Sequence, residues 1–177
     1  MTEEELISAC LRGDSPAQAR LYNTYARKMM GVCLRYAGNR DEAQDILQDG
    51  FVKVFEKLST FQGQGSFEGW IRRIIVNTAL DQYRKNKQRA TELDIDEVGW
   101  SVESGSDTAS MVHAEELLKI LQKIPVGYRV VFNLFAIEGY SHKEIAEQLG
   151  VSENTSKTQF MRARAYLKNV LETQKMI

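Results

Sequence analysis

Apolar residues in the first half of the chain recur at intervals of three and four, the spacing of one face of a helix. One such run comprises Ile46, Leu47, Phe51, Val54, Phe55 and Leu58. It predicts an amphipathic helix whose apolar face lies in a core. A second helical run, FEGWIRRIIVNTALDQYRKNKQ, follows the segment STFQGQGS, whose glycines interrupt the pattern.

The second half of the chain has the same period. Leu117, Leu118, Leu121 and Ile124 form an apolar stripe, and Pro125 then favours the start of a new helix through VVFNLF. The whole chain has 2 prolines, and no run of alternating β-branched residues bounded by hairpin turns is evident. The pattern therefore predicts an all-α protein.

The stretch GYSHKEIAEQLGVSENTSKTQFMRARAYL, which begins at Gly139, has the pattern of two short helices around a tight turn. Ser141, followed by Glu144 three positions later, predicts a capping box at the start of the first helix. Gly150 predicts the end of that helix, and Ser152 can cap the second one. The stretch is typical of a helix-turn-helix.

The second of these helices has a cationic surface. Phe160, Ala163 and Leu167 share its apolar face. Side chains that can bind DNA cover the remainder: Asn154, Lys157, Thr158, Arg162 and Arg164. In helix-turn-helix proteins the second helix enters the major groove, with its first turns at base edges. DNA reading is the favoured interpretation, and an ordinary helical hairpin with a solvated basic face is the alternative.

Charge is unevenly distributed along the 177 residues. The net charge is −3 over residues 1–14, +6 over 15–90, −8 over 91–116 and +4 over 117–177, which gives −1 for the whole chain. The acidic segment has no Lys or Arg, is rich in Ser, Gly and Asp, and lacks periodicity, so we predict a flexible acidic linker. We expect two small helical domains, at 1–90 and 113–177, joined by a linker at 91–112.

Composition and motif content exclude several classes of protein. No apolar run approaches the roughly 18 residues of a membrane span, and the stretch MTEEELISACLRGD is acidic rather than signal-like, so a soluble cytoplasmic protein is expected. Cys10 and Cys33 lack CxxC spacing and are predicted to have a packing role, with a regulatory disulfide as the alternative. His113 and His142 lie in unrelated segments, so no catalysis, metal or cofactor is expected.

The helix that starts near residue 67 has two distinct faces. One face carries an aromatic ring among charged and amide groups: Trp70, Arg73, Asn77, Asp81 and Arg84. The other carries Ile71, Ile74, Ile75 and Thr78. Unpaired bases can stack on an exposed ring for roughly 1–3 kcal/mol each while cations bind their phosphates. The first face therefore favours binding of a single strand, although Trp70 could instead cap the core.

The preceding helix has an acidic face opposite its apolar stripe. Asp41, Asp45 and Asp49 are four residues apart, with Glu42 and Gln48 beside them. Carboxylates in a row repel each other, so a basic protein partner is a reasonable use for them. A metal site or an acid/base pair is the alternative.

The stretches DEAQDILQDGFVKVFEKLSTFQGQGSFEGWIRRIIVNTALDQYRK and IPVGYRVVFNLFAIEGYSHKEIAEQLGVSENTSKTQFMRARAYL together resemble the extracytoplasmic-function (ECF) group of bacterial sigma factors. These are the two-domain specificity subunits of RNA polymerase. The resemblance spans roughly residues 15–170 in two ordered motif sets, which makes it specific.

The resemblance implies a role for each set of residues in the first domain. The family segment that binds the largest subunit of core RNA polymerase is similar to the helix with Asp45, Gln48, Asp49, Phe51 and Val52. A second region resembles two family features: the loop that captures a flipped base of the minus-ten element and the helix face that holds the melted strand. Its residues are Phe61, Gln62, Ser66, Phe67, Trp70, Arg73, Asn77, Asp81, Arg84 and Lys85. A preformed pocket can offset the cost of flipping a base.

The second domain and the linker acquire roles in the same way. Pro125, Arg129, Gly139, Tyr140, Glu144, Ile145 and Ala146 match the domain that contacts the minus-thirty-five element. The implied contacts to promoter DNA are Ser141, His142, Lys143, Ser152, Asn154, Thr155, Lys157, Thr158, Arg162 and Arg164. The acidic linker would mimic nucleic acid in the polymerase cleft until nascent RNA displaces it. An anti-sigma factor is a further expected partner.

Two positions depart from the family pattern. Ser156 stands where the family usually has an apolar residue, and Gln159 stands where Arg is common. The expected function is that of an alternative sigma factor without catalysis or cofactor of its own. A stand-alone helix-turn-helix regulator with a helical sensor domain, or a protein that only sequesters polymerase, are the other hypotheses.

Overall fold

The computed structural model describes residues 1–93 and 109–173. All the regular secondary structure in these two ranges is helical. The chain divides into two compact units, Met1–Gln88 and Arg89–Ile177. The all-α prediction is thereby confirmed. Most of the predicted linker, from 94 to 108, lies outside the described residues.

Unit 1 contains four α-helices and a 3₁₀ turn within its described residues: α1 (Glu3–Leu11), α2 (Ser15–Tyr36), α3 (Arg40–Lys57), the turn Leu58–Thr60, and α4 (Phe67–Leu93), whose last turn extends past the unit. Thr2 and Glu5 form a capping box on α1, and Asn39 accepts a hydrogen bond from the Glu42 amide at the start of α3. These caps satisfy amide groups that the first turn of a helix leaves without a partner.

The core of unit 1 combines the apolar faces that the sequence predicted on α3 and α4 with buried residues of α1 and α2, such as Leu6 and Leu21. Ile46, Val54, Ile71 and Ile75 are almost fully buried. Gly50 lies directly against Ile75, so a β-carbon at this position would collide with that side chain. A residue without a side chain therefore lets α3 approach α4 closely.

Both cysteines belong to this core. Cys10 and Cys33 are free and buried. Burial raises the pKa of the Cys33 thiol to about 12, which keeps it protonated and unreactive. These environments support a packing role for the cysteines.

The described residues of unit 2 form α5 (Ala109–Gln122), α6 (Val126–Phe132), a π-helical turn (Asn133–Ile137), α7 (His142–Leu149) and α8 (Glu153–Thr173). Leu121 and Ile124 pack with Ala163 of α8, and Val130 of α6 and Ile145 of α7 are fully buried. The predicted stripe on α5 needs one correction. Leu117 is 54% exposed, whereas Ile120 and Leu121, nearer the C-terminal end of α5, are buried.

Candidate functional site

Three aromatic rings cluster where α4 begins. Phe67 is 1% exposed, and its ring lies nearly parallel to that of Trp70, with centroids 5.7 Å apart and an interplanar angle of 13°. Phe61 contacts both rings, at centroid distances of 5.0 Å to Phe67 and 5.4 Å to Trp70. Phe61 and Trp70 are half-buried. Each therefore has one surface on the cluster and another open to solvent.

The cluster is supported from α2. The Tyr25 ring meets Phe67 edge-on at 5.6 Å, and the Tyr25 hydroxyl donates a 3.0 Å hydrogen bond to the Glu3 carboxylate of α1. Burial, together with this hydrogen bond, raises the pKa of Tyr25 to about 12. An ion pair of 2.8 Å between Lys28 and Glu68 adds a second link between α2 and α4. The rings are thus held by three helices.

The loop before α4 is exposed. Gln62 and Ser66 are on the surface, and Gly63 and Gly65 have positive φ angles of 68° and 82°. The Ser66 hydroxyl accepts a hydrogen bond from the Gly69 amide at 3.2 Å, so this predicted contact residue also caps α4.

Along α4, the predicted polar face is present but part of its charge is paired. Arg73, Asn77 and Lys85 are exposed. Asp81 accepts hydrogen bonds from Arg84 at 2.6 Å and from Lys53 at 3.4 Å. Burial alone would raise the pKa of Asp81, but these two cations outweigh it and hold the pKa below its usual value. Arg73 and Lys85 are therefore better placed than Arg84 to bind phosphate.

The acidic face of α3 points to solvent. Asp41, Asp45, Gln48 and Asp49 are exposed, and Val52 beside them is 56% exposed. Polar residues thus surround one apolar side chain on this face.

Phe51, which the sequence assigned both to the core and to the polymerase contact, is only 3% exposed. It lies edge-on to Tyr22 with ring centroids 4.8 Å apart. A side chain buried to this degree supports α3 from within and is not offered to a partner. Phe67 has the corresponding position beneath the aromatic cluster.

The helix-turn-helix of unit 2 has the predicted caps. The Ser141 hydroxyl accepts from the Glu144 amide at 3.1 Å, and the Glu144 carboxylate accepts from the Ser141 amide at 2.8 Å. The hydrogen bonds from Ser141 lower the pKa of Glu144. Gly150 ends α7 in the left-handed conformation with φ 67°. The Ser152 hydroxyl accepts from the Thr155 amide at 3.0 Å at the start of α8. All three elements of this prediction are confirmed.

Most of the predicted DNA contacts of unit 2 are on the surface. Lys143, Asn154, Lys157, Thr158, Arg162 and Arg164 are exposed. Arg162 donates to the Tyr128 hydroxyl at 3.2 Å, and the Arg164 guanidinium lies 5.9 Å from the centre of the Phe160 ring. In both cases the guanidinium group itself lies against the aromatic residue, and both side chains remain exposed.

His142 is placed differently. It is half-buried between α7 and α8, where Nδ1 lies 2.9 Å from the Ser156 hydroxyl and the ring stacks on Phe135 at 4.2 Å. Thr155 is also half-buried, and its hydroxyl is bonded to that of Ser152. These two side chains are part of the structure of the motif as well as candidate contacts.

Sequence reasoning missed an apolar groove on unit 2. The groove has a volume of about 720 Å³ and is lined by Phe132, Met161, Arg164, Ala165, Leu167, Lys168, Leu171 and Glu172. Met161 is 68% exposed and Leu171 is 53% exposed. The available signal was a second apolar row on α8, because Met161 and Ala165 are four residues apart.

Comparison with known proteins identifies the family. The family "Sigma-70 region 2" matches residues 21–89, and "Sigma-70, region 4" matches residues 114–167. The chain is also 26% identical to the ECF RNA polymerase sigma-E factor of Haemophilus influenzae, across 97% of this chain and 96% of that protein. The sigma-E factor of Escherichia coli K12 is 27% identical, across 97% and 95%.

The chain belongs to the ECF group of sigma-70 factors. It is therefore a transcription initiation factor that associates with core RNA polymerase and directs it to promoters. Since both family regions occur in order and the match to the sigma-E factors spans nearly the whole chain, the hypothesis of a stand-alone regulator is set aside.

Two solved structures have a similar fold. One is CnrH, in complex with the cytosolic domain of CnrY, with a TM-score of 0.51, 24% identity, and coverage of 96% of this sigma factor and 97% of CnrH. Another is the sigma factor RpoE of Bartonella quintana, in complex with the anti-sigma factor NepR, with a TM-score of 0.58, 19% identity, and coverage of 89% and 98%. Across residues 1–93 and 109–173, no helix of this sigma factor combines the length and apolar character needed to cross a bilayer.

Proposed function

We propose that the two units of this sigma factor divide promoter recognition between them. Unit 1 binds core polymerase through α3 and the unpaired minus-ten strand through the start of α4. Unit 2 binds the minus-thirty-five duplex through α8. The observation that carries this proposal is the pairing of each family region with a distinct exposed surface, aromatic on unit 1 and cationic on unit 2.

The polymerase contact is the face of α3 with Asp45, Gln48, Asp49 and Val52. Its exposed carboxylates suit a basic partner, and the exposed Val52 offers an apolar centre within a polar rim. Phe51 keeps the helix in place from the core side.

The minus-ten contact is the half-exposed pair Phe61 and Trp70 with the loop between them. A ring that is already fixed by its neighbours loses little freedom when a base stacks on it, so more of the stacking energy remains to offset unpairing. Arg73, Asn77 and Lys85 continue this surface along α4 and supply groups for the strand backbone.

The minus-thirty-five contact is the exposed surface of α8. Asn154, Lys157 and Thr158 lie in its first turns, where a recognition helix approaches base edges. Arg162 and Arg164 follow one turn later and suit the phosphates.

The acidic segment and the apolar groove receive partners of different kinds. The segment 91–112 has no basic residue, which supports its insertion into a cationic cleft in place of nucleic acid. CnrH was solved with the cytosolic domain of CnrY, and RpoE was solved with the anti-sigma factor NepR. The exposed groove at Met161 and Leu171 suits an amphipathic helix from a partner of this kind. We place these events in the cytoplasm.

A reconstituted run-off assay tests the proposal. Purified chain and core polymerase are combined with fragments of the native genome, and transcripts are sequenced. Defined start sites that require both components are expected, whereas the chain alone should bind the same duplex fragments weakly. Strong footprints without core polymerase, or no transcript from any fragment, would contradict it.

A further inference from the structure

Ser156 is a polar residue in the interior of the helix-turn-helix. It lies at the start of α8, is 0% exposed, and has the exposed Asn154, Lys157 and Thr158 around it in the sequence. A buried hydroxyl requires a hydrogen-bond partner, because removal from water without one is costly.

His142 of α7 supplies that partner. Its Nδ1 lies 2.9 Å from the Ser156 hydroxyl, and this is a contact between two helices rather than within one. The ring stacks on Phe135 at 4.2 Å with an interplanar angle of 12°, and meets Phe160 edge-on at 5.8 Å. The imidazole is thus held by rings from the π-helical turn and from α8.

We propose that His142 and Ser156 are positioning residues that fix the rotation of α8, and hence the presentation of Asn154, Lys157 and Thr158 to base edges. This inference rests on the proposed function of α8 in minus-thirty-five recognition. The packing of α8 through Ala163 is apolar, and apolar contact has no preferred direction, whereas a hydrogen bond is directional. The bond lies within the part of α8 that would read the bases, so it acts directly on the side chains that would enter the major groove of the DNA.

The hydroxyl can donate to Nδ1 or accept from it, so the bond forms with either imidazole tautomer. The effect on recognition should be that of one hydrogen bond. Loss of the bond is expected to reduce discrimination between a cognate and a scrambled minus-thirty-five element about three- to tenfold.

The test uses holoenzyme assembled from core polymerase and the full chain. The variants are His142→Phe, which keeps a ring on Phe135 but loses the nitrogen, Ser156→Ala, and the double variant. Ile124→Val is the matched control, since Ile124 is 1% exposed and packs with Ala163, away from the start of α8. The ratio of affinities for cognate and scrambled elements and the thermal midpoint are measured for each.

Both single variants should lose discrimination and some thermal stability. The double variant should regain part of the stability, because no buried group lacks its partner, but its discrimination should stay as low as that of the singles. Ile124→Val should lose stability and keep discrimination.

Unchanged discrimination in the single variants, its recovery in the double variant, or an equal loss in Ile124→Val would overturn the inference while leaving the proposed function intact. If wild-type holoenzyme itself fails to distinguish the two elements, the proposed role of α8 is wrong and the inference falls with it.

Discussion

The two candidate DNA surfaces of this sigma factor are built in different ways. In unit 1 the surface is a cluster of rings, and the nearby Arg84 and Lys53 are already engaged by Asp81. In unit 2 the surface is a capped helix with exposed cations on its first three turns, where Lys157 lies 3.5 Å from the Glu153 carboxylate and Arg162 donates to the Tyr128 hydroxyl. The first arrangement offers stacking to unpaired bases, and the second offers charge to a duplex. Strand opening should therefore depend on the rings of unit 1, and salt dependence chiefly on unit 2.

The largest expected effect is on polymerase binding, which we assign to α3 rather than to either DNA surface. Replacing Asp45 and Asp49 with Lys reverses the charge of the α3 face and should weaken association with core polymerase on the order of 100-fold or more, since like charges then meet at the interface. Binding is measured by titration of labelled chain with core polymerase, and helical circular dichroism should be unchanged.

The matched control for this variant carries the same charge change elsewhere on unit 1, at the exposed Glu4 and Asp14. Control binding should remain near wild type. Retained binding in the Asp45 and Asp49 variant would contradict the assignment of α3 as the polymerase contact. An equal loss of binding in the control would show that the effect comes from the net charge of the chain rather than from the α3 face.

Trp70→Ala sharpens the contrast between stacking and charge. It should slow formation of the open complex about tenfold, the effect of losing one stacked base, and change closed-complex affinity much less. Permanganate reactivity of unpaired thymines measures opening, and a gel-shift assay at low temperature measures the closed complex. Trp70→Phe should recover most of the rate because it keeps a ring. An equal loss in both steps would favour a packing role for Trp70.

Lys157→Ala and Arg162→Ala test the charge of unit 2. Each should weaken promoter binding severalfold and reduce the slope of log affinity against log salt by about one for each phosphate that is no longer neutralised. Arg73→Ala in unit 1 gives the comparison within the same chain, measured on a duplex that carries only the minus-thirty-five element. Its slope should be that of wild type there. Unchanged slopes for both unit 2 variants would argue against groove docking.

The smallest effect concerns the ion pairs of Asp81. Because its pKa is lowered in the folded state, Asp81 adds stability that is present above its usual pKa of 3.8 and disappears as the pH falls through the folded value. Asp81→Asn should therefore lower stability modestly at pH 7, by less than about 1 kcal/mol for such exposed pairs, and should make no difference in strong acid. Urea unfolding in neutral buffer and in strong acid measures this. If Asp81→Asn lowered stability more in acid than at neutral pH, the expected direction of the pH dependence would be wrong.

The elements of this fold that were predictable are those set by local chemistry. The caps at Ser141 and Ser152, the stop at Gly150 and the buried faces of α3 and α4 all follow from neighbours within one or two turns. Features that depend only on such short-range interactions can be predicted without knowledge of the tertiary structure.

The features that escaped prediction depend on contacts between distant elements. The burial of Phe67 beneath Trp70 requires Tyr25 of α2, and the bond between His142 and Ser156 joins residues 14 positions apart on different helices. Leu117 is likewise exposed although Leu121, in the same predicted stripe, is buried. Periodicity identifies an apolar row but does not show which part of it another helix covers.

The division of labour between the units is tested most directly by footprinting two variants on one promoter. Holoenzyme with Trp70→Ala and holoenzyme with Lys157→Ala and Arg162→Ala are probed for duplex protection at the minus-thirty-five element and for permanganate reactivity at the minus-ten element. The first variant should keep protection and lose reactivity. The second should lose protection, yet regain wild-type strand contacts on a template whose minus-ten region is already unpaired. If both variants lose both signals to the same extent, including on the unpaired template, the two units do not act on separate elements and the account is wrong.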